Sequence, residues 1–501
     1  MRKKTIGVVL SYLLIVVDIL VSLFFVPYLL KSLGDSEYGI YRLMLSTASY
    51  LSILDFGIGG TLTRYIVKFK TEQDKKGIEN FSAMGLFIYG ALALLVILIS
   101  VGVALFIPSM YKASIPSELS REAQYIFVII CSTTAVSLFN HGYNGIITAY
   151  EGFAFNKSSN ILKIALRILL IIFGLKIFNS ALVVVIIDFA LAVLLLIANA
   201  LYVRFYVKCK VRLHKWDWKL AKEAFVFTLA ILMQSIINQF NSNVDNIVLG
   251  IYMTASVVTL YSLALQIYTI FGSLSTAISS VYLPSISETV FKGATDEEIT
   301  RKVVEPSRIQ LIVLLLALTG FYLFGQDFIT LWVGEGYEQV YVLCCVLLTS
   351  SILDLSQNSI TCVLKAKNML HGKTLILGIA TIVNVIITFV LVPIIGAVGA
   401  TIGTAFSMLF GYGVALNIYF QKKVHLKMGL YYKETYKGIL LAVIIAAVIG
   451  VAFTFIKMQG WIGFLIKAGL YAIVYCVIIL LIGLNANEKQ MVKRIFKRKK
   501  L

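Results

Sequence analysis

Long apolar stretches run through almost the whole of this 501-residue sequence, and they restrict its fold more than any other feature. Each is roughly 20 residues or longer, the length at which an α-helix crosses the hydrocarbon core of a bilayer. Hydrophobic residues make up 59% of the sequence and charged residues 14%, whereas soluble globular chains carry about 25% charged residues. The stretches also exceed the strands of about ten residues that build membrane barrels. We therefore predict an all-α polytopic membrane protein.

Reading the apolar stretches in order predicts about fourteen transmembrane helices. An even number of spans places both termini on the same side of the membrane. The spans cover residues 5–30, 38–68, 80–107, 121–150, 157–176, 180–206, 220–250, 257–290, 306–332, 338–365, 372–393, 395–420, 435–457 and 461–484.

The net charge of +19 at pH 7 is distributed unevenly around these spans. If the termini are cytoplasmic, the inner segments hold 33 of the 44 lysines and arginines and the outer loops hold four. Positive residues in short loops stay on the cytoplasmic side during insertion. The charge therefore indicates topology and contact with anionic membrane lipid, and it does not predict a nucleic-acid partner.

Motifs of soluble-enzyme chemistry do not occur in the sequence. There is no phosphate-binding P-loop, no paired metal-ligand spacing and no nucleophile with an organised base. The six cysteines do not form a pattern typical of a disulfide framework or a metal site. We therefore expect a transporter rather than an enzyme, with no catalytic residue, no metal and no cofactor.

The spans fall into two halves of equal length and an additional pair. Residues 145–157 (GIITAYEGFAFNK) and 359–371 (SITCVLKAKNMLH) follow equivalent spans with an offset of 214 residues. Each half has an even number of spans, so the two insert with the same orientation, as parallel repeats do. The sequence predicts a six-helix lobe at 1–210, a second at 211–421, and two further helices with a basic cytoplasmic tail at 422–501.

Four basic residues within the spans are candidates for a substrate cavity, because an ionisable group deep in the membrane is costly unless it has a function. Arg167 lies about 15 Å inside the fifth span, and Lys163 lies one turn before it on the same face. Arg42 and Arg64 lie on one face of the second span, one near each end. Snorkelling to the interface is the alternative for Lys163, Arg42 and Arg64. Arg308 and Lys467 lie close to span ends, where topogenic charge explains them.

Acidic and amide residues within the spans form a second set of candidates. Asp18 lies near the middle of the first span, and Asp55 precedes glycines that can break the second. The alternative for this set is interhelical hydrogen bonding that holds the bundle together. The repeat offsets match Asp18 with Gln234, Asn140 with Asp354, and Asn144 with Asn358, and Gln357 shares the face of the last pair.

Three stretches of the sequence resemble a known family. They are FFVPYLLKSLGDSEYGIYRLMLSTASYLSILDFGIGGTLTRYIVKF at 24–69, VDNIVLGIYMTASVVTLYSLALQI at 244–267, and LVPIIGAVGATIGTAFS at 391–407. They are similar to the bacterial polysaccharide (oligosaccharide repeat-unit) flippases of the multidrug/oligosaccharidyl-lipid/polysaccharide superfamily. The resemblance implies two six-helix lobes, a polar cavity that opens to either side in turn, and undecaprenyl-diphosphate-linked sugars as cargo.

The leading hypothesis is therefore a flippase for lipid-linked oligosaccharides in the cytoplasmic (inner) membrane of a bacterium. In this hypothesis Arg42, Arg64, Lys163 and Arg167 meet the diphosphate, while Asn140, Asn144, Gln234, Gln357 and Asn358 meet sugar hydroxyls. Asp18, Asp55 and Asp354 are candidates for coupling to Na⁺ or H⁺, and a polysaccharide polymerase or export machinery is a candidate partner. The alternatives are a multidrug exporter of the same fold and a membrane glycan polymerase or glycosyltransferase.

We predict that both termini of this chain are cytoplasmic, because the basic residues are concentrated on that side. Phosphatase and fluorescent-protein fusions at Leu501 and within residues 108–120 measure the topology. The fluorescent fusion is expected to be active at Leu501, and the phosphatase is expected to be active at 108–120. The opposite pattern would contradict the topology.

Overall fold

The computed structural model describes residues 2–485 and 488–490, and it describes no side chains for residues 2–16, 18, 219–221 and 223–231. The described chain is helical nearly throughout and contains no β-strand. In hydrocarbon, backbone amides and carbonyls find no water, so an apolar chain satisfies them internally by forming helices. The prediction of an all-α membrane protein is confirmed.

Eighteen α-helices, numbered in chain order, make up the described part of the chain. Short 3-10 or π-helical segments join or extend several of them. The helices are α1 (Arg2–Leu33), α2 (Asp35–Ser49), α3 (Ile58–Thr71), α4 (Lys75–Met110), α5 (Ser120–Ala149), α6 (Phe153–Ile177), α7 (Ala181–Leu201), α8 (Trp218–Tyr252), α9 (Ala255–Phe291), α10 (Asp296–Val333), α11 (Glu338–Ser356), α12 (Ile360–Ala366), α13 (Leu370–Ile395), α14 (Ala397–Ser407), α15 (Leu416–Lys422), α16 (Met428–Tyr436), α17 (Ile439–Thr454) and α18 (Gly460–Ile478).

Eleven helical stretches in the described residues are long and apolar enough to cross a membrane. The other three predicted spans coincide with α1, α6 and α8. Helix α6 carries four basic residues, Lys157, Lys163, Arg167 and Lys176, while α1 and α8 contain residues whose side chains lie outside the description. Each of the fourteen predicted spans therefore corresponds to helical structure.

The chain divides into two compact units, and the first, unit 1, comprises the residues up to Ser262. Helix α5 is central in unit 1, because it packs against α2, α3, α4 and α7. Large side chains such as Tyr38, Met44, Tyr89 and Phe127 are buried there. The predicted lobe boundary at residue 210 stays a prediction, as does the parallel-repeat relationship.

The second span is not one continuous helix. Helix α2 ends at Ser49, a 3-10 segment covers Tyr50–Asp55, and α3 begins at Ile58. Between them Phe56 and Gly57 have positive φ values of 50° and 68°. Gly57 adopts this left-handed conformation without the steric penalty that a side chain brings. The break turns the chain sharply just after Asp55.

Unit 2 comprises the residues from Leu263 onward and is organised around α10. The helix begins with a capping box, in which Thr295 and Glu298 each bind the backbone amide of the other. Helices α11, α16, α17 and α18 pack against α10, and α13 packs against α14. The two helices beyond the predicted lobes, α17 and α18, are therefore attached to this unit through α10.

A single buried arginine on α10 binds the segments on either side of α17 and α18. The Arg308 side chain is 2% exposed, and its Nε and Nη2 donate to the Glu488 carboxylate at 2.6 and 3.1 Å. Its Nη1 donates to the carbonyl oxygens of Glu434, Thr435 and Lys437, and Nη2 also donates to that of Gly483. Arg308 therefore closes the α17–α18 hairpin at its base, a role that its position near a span end did not predict.

We expect Arg308→Met to destabilise unit 2 by about 3–5 kcal/mol, because it leaves the Glu488 carboxylate and four carbonyl oxygens without their donor. The measurement is the thermal unfolding midpoint of the purified protein in detergent. Arg301→Met is the matched control on the same helix, since the Arg301 side chain is exposed and its ion pairs with Glu297 and Glu434 lie at the surface. Equal shifts in the two variants would contradict a special role for Arg308.

Candidate functional site

An ion pair between neighbouring helices lies inside the membrane-spanning part of unit 1. Arg167 on α6 donates from Nε and Nη2 to the two carboxylate oxygens of Asp188 on α7, at 2.6 and 2.9 Å. This two-pronged geometry is the strongest that arginine and a carboxylate form. The Arg167 Nη2 also lies 3.4 Å from the Tyr41 hydroxyl, and the guanidinium lies over the ring of Phe25.

The hairpin of α6 and α7 explains why these two residues meet. Arg167 lies ten residues before the end of α6, and Asp188 lies seven residues after the start of α7. At about 1.5 Å per residue, the two side chains reach similar depths on antiparallel helices. Ser180, in the turn, caps α7 by accepting a hydrogen bond from the Leu182 amide. Helix lengths and a short turn therefore place the ion pair.

Two further basic residues, Arg42 and Lys163, lie near Arg167. Together with Asp188 and Tyr41 these three basic residues form what we call the cationic cluster. Lys163, half-buried, interacts electrostatically with both Arg167 and Asp188. Arg42, Arg167 and Asp188 all act on the Tyr41 hydroxyl. The Arg42 Nε is buried without a hydrogen-bond partner among the described residues. The cluster thus brings three of the four predicted basic residues together, and only one carboxylate in it opposes them.

Asp188 was not among the residues selected from the sequence, although the sequence carries a signal for it. It is the only charged residue in the apolar stretch Ala181–Leu201 and lies well inside the span. The depth argument that selected Asp18 applies equally to Asp188. Lys373 was also missed, because it lies at the edge of its predicted span.

A second polar group of unit 1 surrounds the break in the second span. The Asp55 carboxylate accepts a hydrogen bond from the Tyr89 hydroxyl at 2.8 Å, and it lies 3.1 Å from Nδ1 of His141 on α5. On the same 3-10 segment, Ser52 accepts a hydrogen bond from Gln239 of α8, which also donates to the Ser49 carbonyl. These contacts form a polar surface where α8 packs against the break.

The remaining candidates of unit 1 occupy different environments. Gln234 donates to Asn238 one turn along α8, and Arg64 on α3 is exposed. Asn140 is buried between α5 and α7, where it donates to the Ala192 carbonyl and accepts from Asn199. Asn144 is half-buried on α5. The Asp18 side chain lies outside the described residues.

Unit 2 carries its own group of polar candidates at the junction of α11 and α12. Gln357 is buried and donates to Asn417 and to the Tyr432 hydroxyl, at 3.1 and 2.7 Å. The Asn358 amide lies 3.4 Å from the hydroxyl oxygens of Ser275 and Thr276 on α9. The predicted amides of this unit therefore connect α9, α11 and the segment around α15 and α16.

Asp354 faces a lysine that the sequence reading did not select. It interacts electrostatically with Lys373 on α13 and with Tyr268 and Tyr412. Lys373 donates to the Thr361 hydroxyl at 2.8 Å and lies 6.0 Å from the centre of the Tyr412 ring. Each unit therefore contains a membrane-embedded carboxylate with a basic partner. Among the described residues, no group of three or more His, Cys, Asp or Glu side chains could hold a metal ion.

Comparisons with known sequences agree with this architecture. Residues 5–290 match the protein family described as "Polysaccharide biosynthesis protein". The "Probable flippase AglR" of Haloferax volcanii is 31% identical over 172 residues, which cover 33% of this chain and 35% of that protein. The "Probable low-salt glycan biosynthesis flippase Agl15" of the same organism is 25% identical over 202 residues, or 40% of this chain and 42% of that protein. The chain thus spans less than half the length of these matched relatives.

Solved structures show the same fold over nearly the whole chain. "Lipid II flippase MurJ, inward closed conformation" has a TM-score of 0.73 at 13% identity, covering 95% of this chain and 98% of that one. "Inward-facing conformation of a multidrug resistance MATE family transporter of the MOP superfamily" has a TM-score of 0.61 at 15% identity, covering 78% and 92%. The chain therefore has the fold of these two transporters, as the sequence resemblance predicted.

We expect the effects on stability of substitutions at Arg167 and at Asp188 to be strongly coupled. Arg167→Gln or Asp188→Asn alone leaves the opposite charge unpaired in a low-dielectric environment, which is destabilising. The double variant removes both charges, so its unfolding midpoint in detergent should lie closer to the wild type than the sum of the single shifts predicts, with a coupling of about 0.5–3 kcal/mol. Strict additivity of the three shifts would contradict the ion pair.

Proposed function

Since this chain belongs to the polysaccharide biosynthesis protein family, we propose that it is a flippase for undecaprenyl-diphosphate-linked oligosaccharide repeat units. In this proposal the protein moves the cargo across the cytoplasmic membrane by alternating access, exposing its polar groups to one side and then to the other. The product supplies the biosynthesis of a surface polysaccharide. The protein acts as a transporter and not as an enzyme.

The proposal answers a physical problem that such a cargo poses. A sugar hydroxyl without a hydrogen-bond partner costs several kcal/mol in hydrocarbon, and an ionised diphosphate costs far more. Membrane-embedded polar and cationic side chains replace the water that the head group leaves behind. The polyprenyl tail needs no such replacement, because it stays in lipid.

The cationic cluster of unit 1 is the observation that carries the proposal. Arg42 and Arg167 lie near Tyr41, Lys163 lies near Arg167, and Asp188 is the one carboxylate of the cluster. An excess of positive charge inside a membrane is stabilised when an anion binds to it. A diphosphate is an anion of suitable charge, and guanidinium groups bind phosphate oxygens with directed hydrogen bonds.

The geometry assigns different roles to the three cations. Asp188 already occupies two donors of Arg167, so Arg167 orders the cluster and contributes its charge. Arg42, whose Nε is buried without a described partner, and Lys163 are the groups with donors to offer to the diphosphate. Arg64, Asn140, Asn144, Gln234, Gln357 and Asn358 remain proposed contacts for the phosphates and sugars.

Coupling and location complete the proposal. An ion gradient of Na⁺ or H⁺, together with the membrane potential, drives the cycle, with Asp18, Asp55 and Asp354 as candidate coupling carboxylates. We place the protein in a bacterial cytoplasmic membrane with both termini in the cytoplasm, in contact with anionic lipid. A polymerase or export system for the polysaccharide is the proposed partner that consumes the product.

One alternative has an observation in its favour. The chain resembles a multidrug resistance transporter with a TM-score of 0.61, so its fold also suits export of small molecules. Cationic drugs would require an excess of acidic groups in the binding region, whereas basic groups dominate the cationic cluster. A functional experiment distinguishes the two.

Deleting the gene in its own host should reduce the surface polysaccharide and cause lipid-linked oligosaccharide to accumulate on the cytoplasmic side. Mass spectrometry of extracted lipids and staining of surface glycan measure the two effects. The wild-type gene should restore the glycan, and Arg42→Gln/Lys163→Gln should not. Arg204→Gln is the matched control, because Arg204 is an exposed basic residue beyond the end of α7. Normal glycan with increased sensitivity to drugs would favour the exporter instead.

A further inference from the structure

Asp55 and His141 form a carboxylate–imidazole pair whose geometry is specific. A single oxygen of Asp55, Oδ1, receives the Tyr89 hydroxyl at 2.8 Å and lies 3.1 Å from the Nδ1 of His141. An ionised carboxylate only accepts hydrogen bonds, so the His141 Nδ1 carries a proton and donates it. The Nε2 atom, on the other side of the ring, then holds a lone pair. The His141 side chain is 49% exposed, so the protein does not enclose the ring completely.

The break in the second span builds this pair. Residues three apart in a 3-10 helix lie in line, so the segment over Tyr50–Asp55 aligns Ser52 and Asp55 with Ser49 just before it. Gly59, just after the break, lies so close to α5 that a Cβ there would be 3.0 Å from the His141 carbonyl oxygen. The absence of a side chain at residue 59 brings the break against α5. The pair is therefore held by backbone packing, on the segment whose Ser49 and Ser52 contact Gln239 of α8.

We propose that His141, oriented by Asp55, is a proton-binding site through which the transport cycle is linked to proton uptake and release. The inference rests on the proposed function as a flippase for a diphosphate-bearing lipid. The proton binds at the Nε2 of the neutral imidazole, and the charge of the Asp55–His141 pair changes from −1 to 0. His141 is the proton-binding residue, and Asp55 and Tyr89 are positioning residues.

The groups around the Asp55 carboxylate favour the binding of a proton over the binding of a sodium ion. Hard cations take oxygen ligands in shells of about six. Here a phenol hydroxyl and an imidazole N–H already occupy Oδ1, and one ring nitrogen contacts the carboxylate where a hard cation would take an oxygen ligand. Glutamine and serine side chains nearby are already bonded to one another, as Gln239 is to Ser52. Imidazole also changes its charge between about pH 5 and 8, the range in which cells maintain proton gradients.

Few other charged groups face the pair from the surrounding elements. Tyr89 on α4 contacts the pair directly, because its hydroxyl donates to the same Asp55 oxygen that faces His141. Asp188 on α7 is bound by Arg167, and Asp245 on α8 accepts from Tyr261. The other charged residues on the packed elements lie further along them. They are Asp35, Glu37 and Arg42 on α2, Arg64, Lys68 and Lys70 on α3, Lys75, Lys76 and Glu79 on α4, Arg121 and Glu122 on α5, Lys157, Lys163, Arg167 and Lys176 on α6, and Lys219, Lys222 and Glu223 at the start of α8.

The direction in which pH changes the affinity for the diphosphate follows from the charge of His141. Protonated His141 adds one positive charge to unit 1, so an anionic diphosphate binds more tightly at low pH than at high pH. Linkage is reciprocal, and binding of the diphosphate therefore takes up protons from solution, to a limit of about one per bound molecule. Couplings of this kind amount to about fivefold or more in affinity.

The test uses the full chain in nanodiscs of zwitterionic lipid, with the methyl diester of undecaprenyl diphosphate as the probe. A diphosphate diester, like the sugar-linked cargo, has no phosphate group that titrates between about pH 5 and 8, whereas a terminal phosphate does. The affinity for the probe should fall at least about fivefold between roughly pH 5 and 8, and probe binding in weak buffer should take up protons. His141→Gln retains a side-chain donor for Asp55 and cannot be protonated, so both effects should disappear. His214→Gln is the matched control, because His214 pairs with Glu79 outside the spans and both effects should remain.

Each remaining outcome decides the proposal. Asp55→Asn removes the charge that stabilises the imidazolium, so proton uptake should move to lower pH, and this variant decides the question if His141→Gln does not fold. Probe binding that does not vary with pH, or varies equally in His141→Gln, overturns the proton site and leaves the flippase proposal intact. Dependence on Na⁺ at constant pH overturns the choice of ion. Failure of the wild type to bind the probe at any pH overturns the proposed function, and the coupling with it.

Discussion

The scarcity of water in the hydrocarbon core is the constraint on which the whole structure depends. A charge placed in or near it is costly unless the protein supplies a partner. Arg167 therefore pairs with Asp188, Arg308 with Glu488, and Lys467 with Asp327. Each pair connects two different segments: consecutive helices for Arg167 and Asp188, and segments more than 100 residues apart for the other two. These charges raise the free energy of inserting the chain into the membrane, and their pairing also holds particular segments together.

The ion pair of Arg308 and the ion pair in the cationic cluster differ in how completely their donors are used. Arg308 is almost fully enclosed and uses its donors on Glu488 and on backbone carbonyls, so little is left for a ligand. The cationic cluster of unit 1 is less complete, since its basic residues outnumber its single carboxylate and one buried arginine nitrogen has no described partner. Buried polar groups are satisfied in most structural roles, and the proposed anion would supply the partner that the Arg42 Nε does not have among the described residues. This contrast separates the proposed anion site from the closure of the α17–α18 hairpin.

Breaks in helices concentrate polar chemistry in this bundle. The 3-10 segment before Gly57 aligns Ser49, Ser52 and Asp55, and the junction of α11 and α12 carries Gln357 and Asn358. An interrupted helix frees backbone groups, and nearby polar side chains then satisfy them, as Gln239 does for the Ser49 carbonyl. Polar residues are thus required at the breaks for stability. The same requirement places hydroxyl, amide and carboxylate groups where a polar cargo can meet them.

Periodicity, length and charge bias in the sequence determined the helical fold and the approximate positions of its long apolar helices, because insertion into hydrocarbon depends on local composition. The family resemblance in the first half of the chain was also legible from short local patterns. Residue depth indicated Arg167, but only the tertiary structure paired it with Asp188, buried Asn140 against Asn199, and set His141 beside Asp55. Depth follows from one helix alone, whereas a partner depends on how two helices rotate and cross. That geometry arises from side-chain packing between distant segments, as at Gly59 and α5, which a linear pattern does not encode.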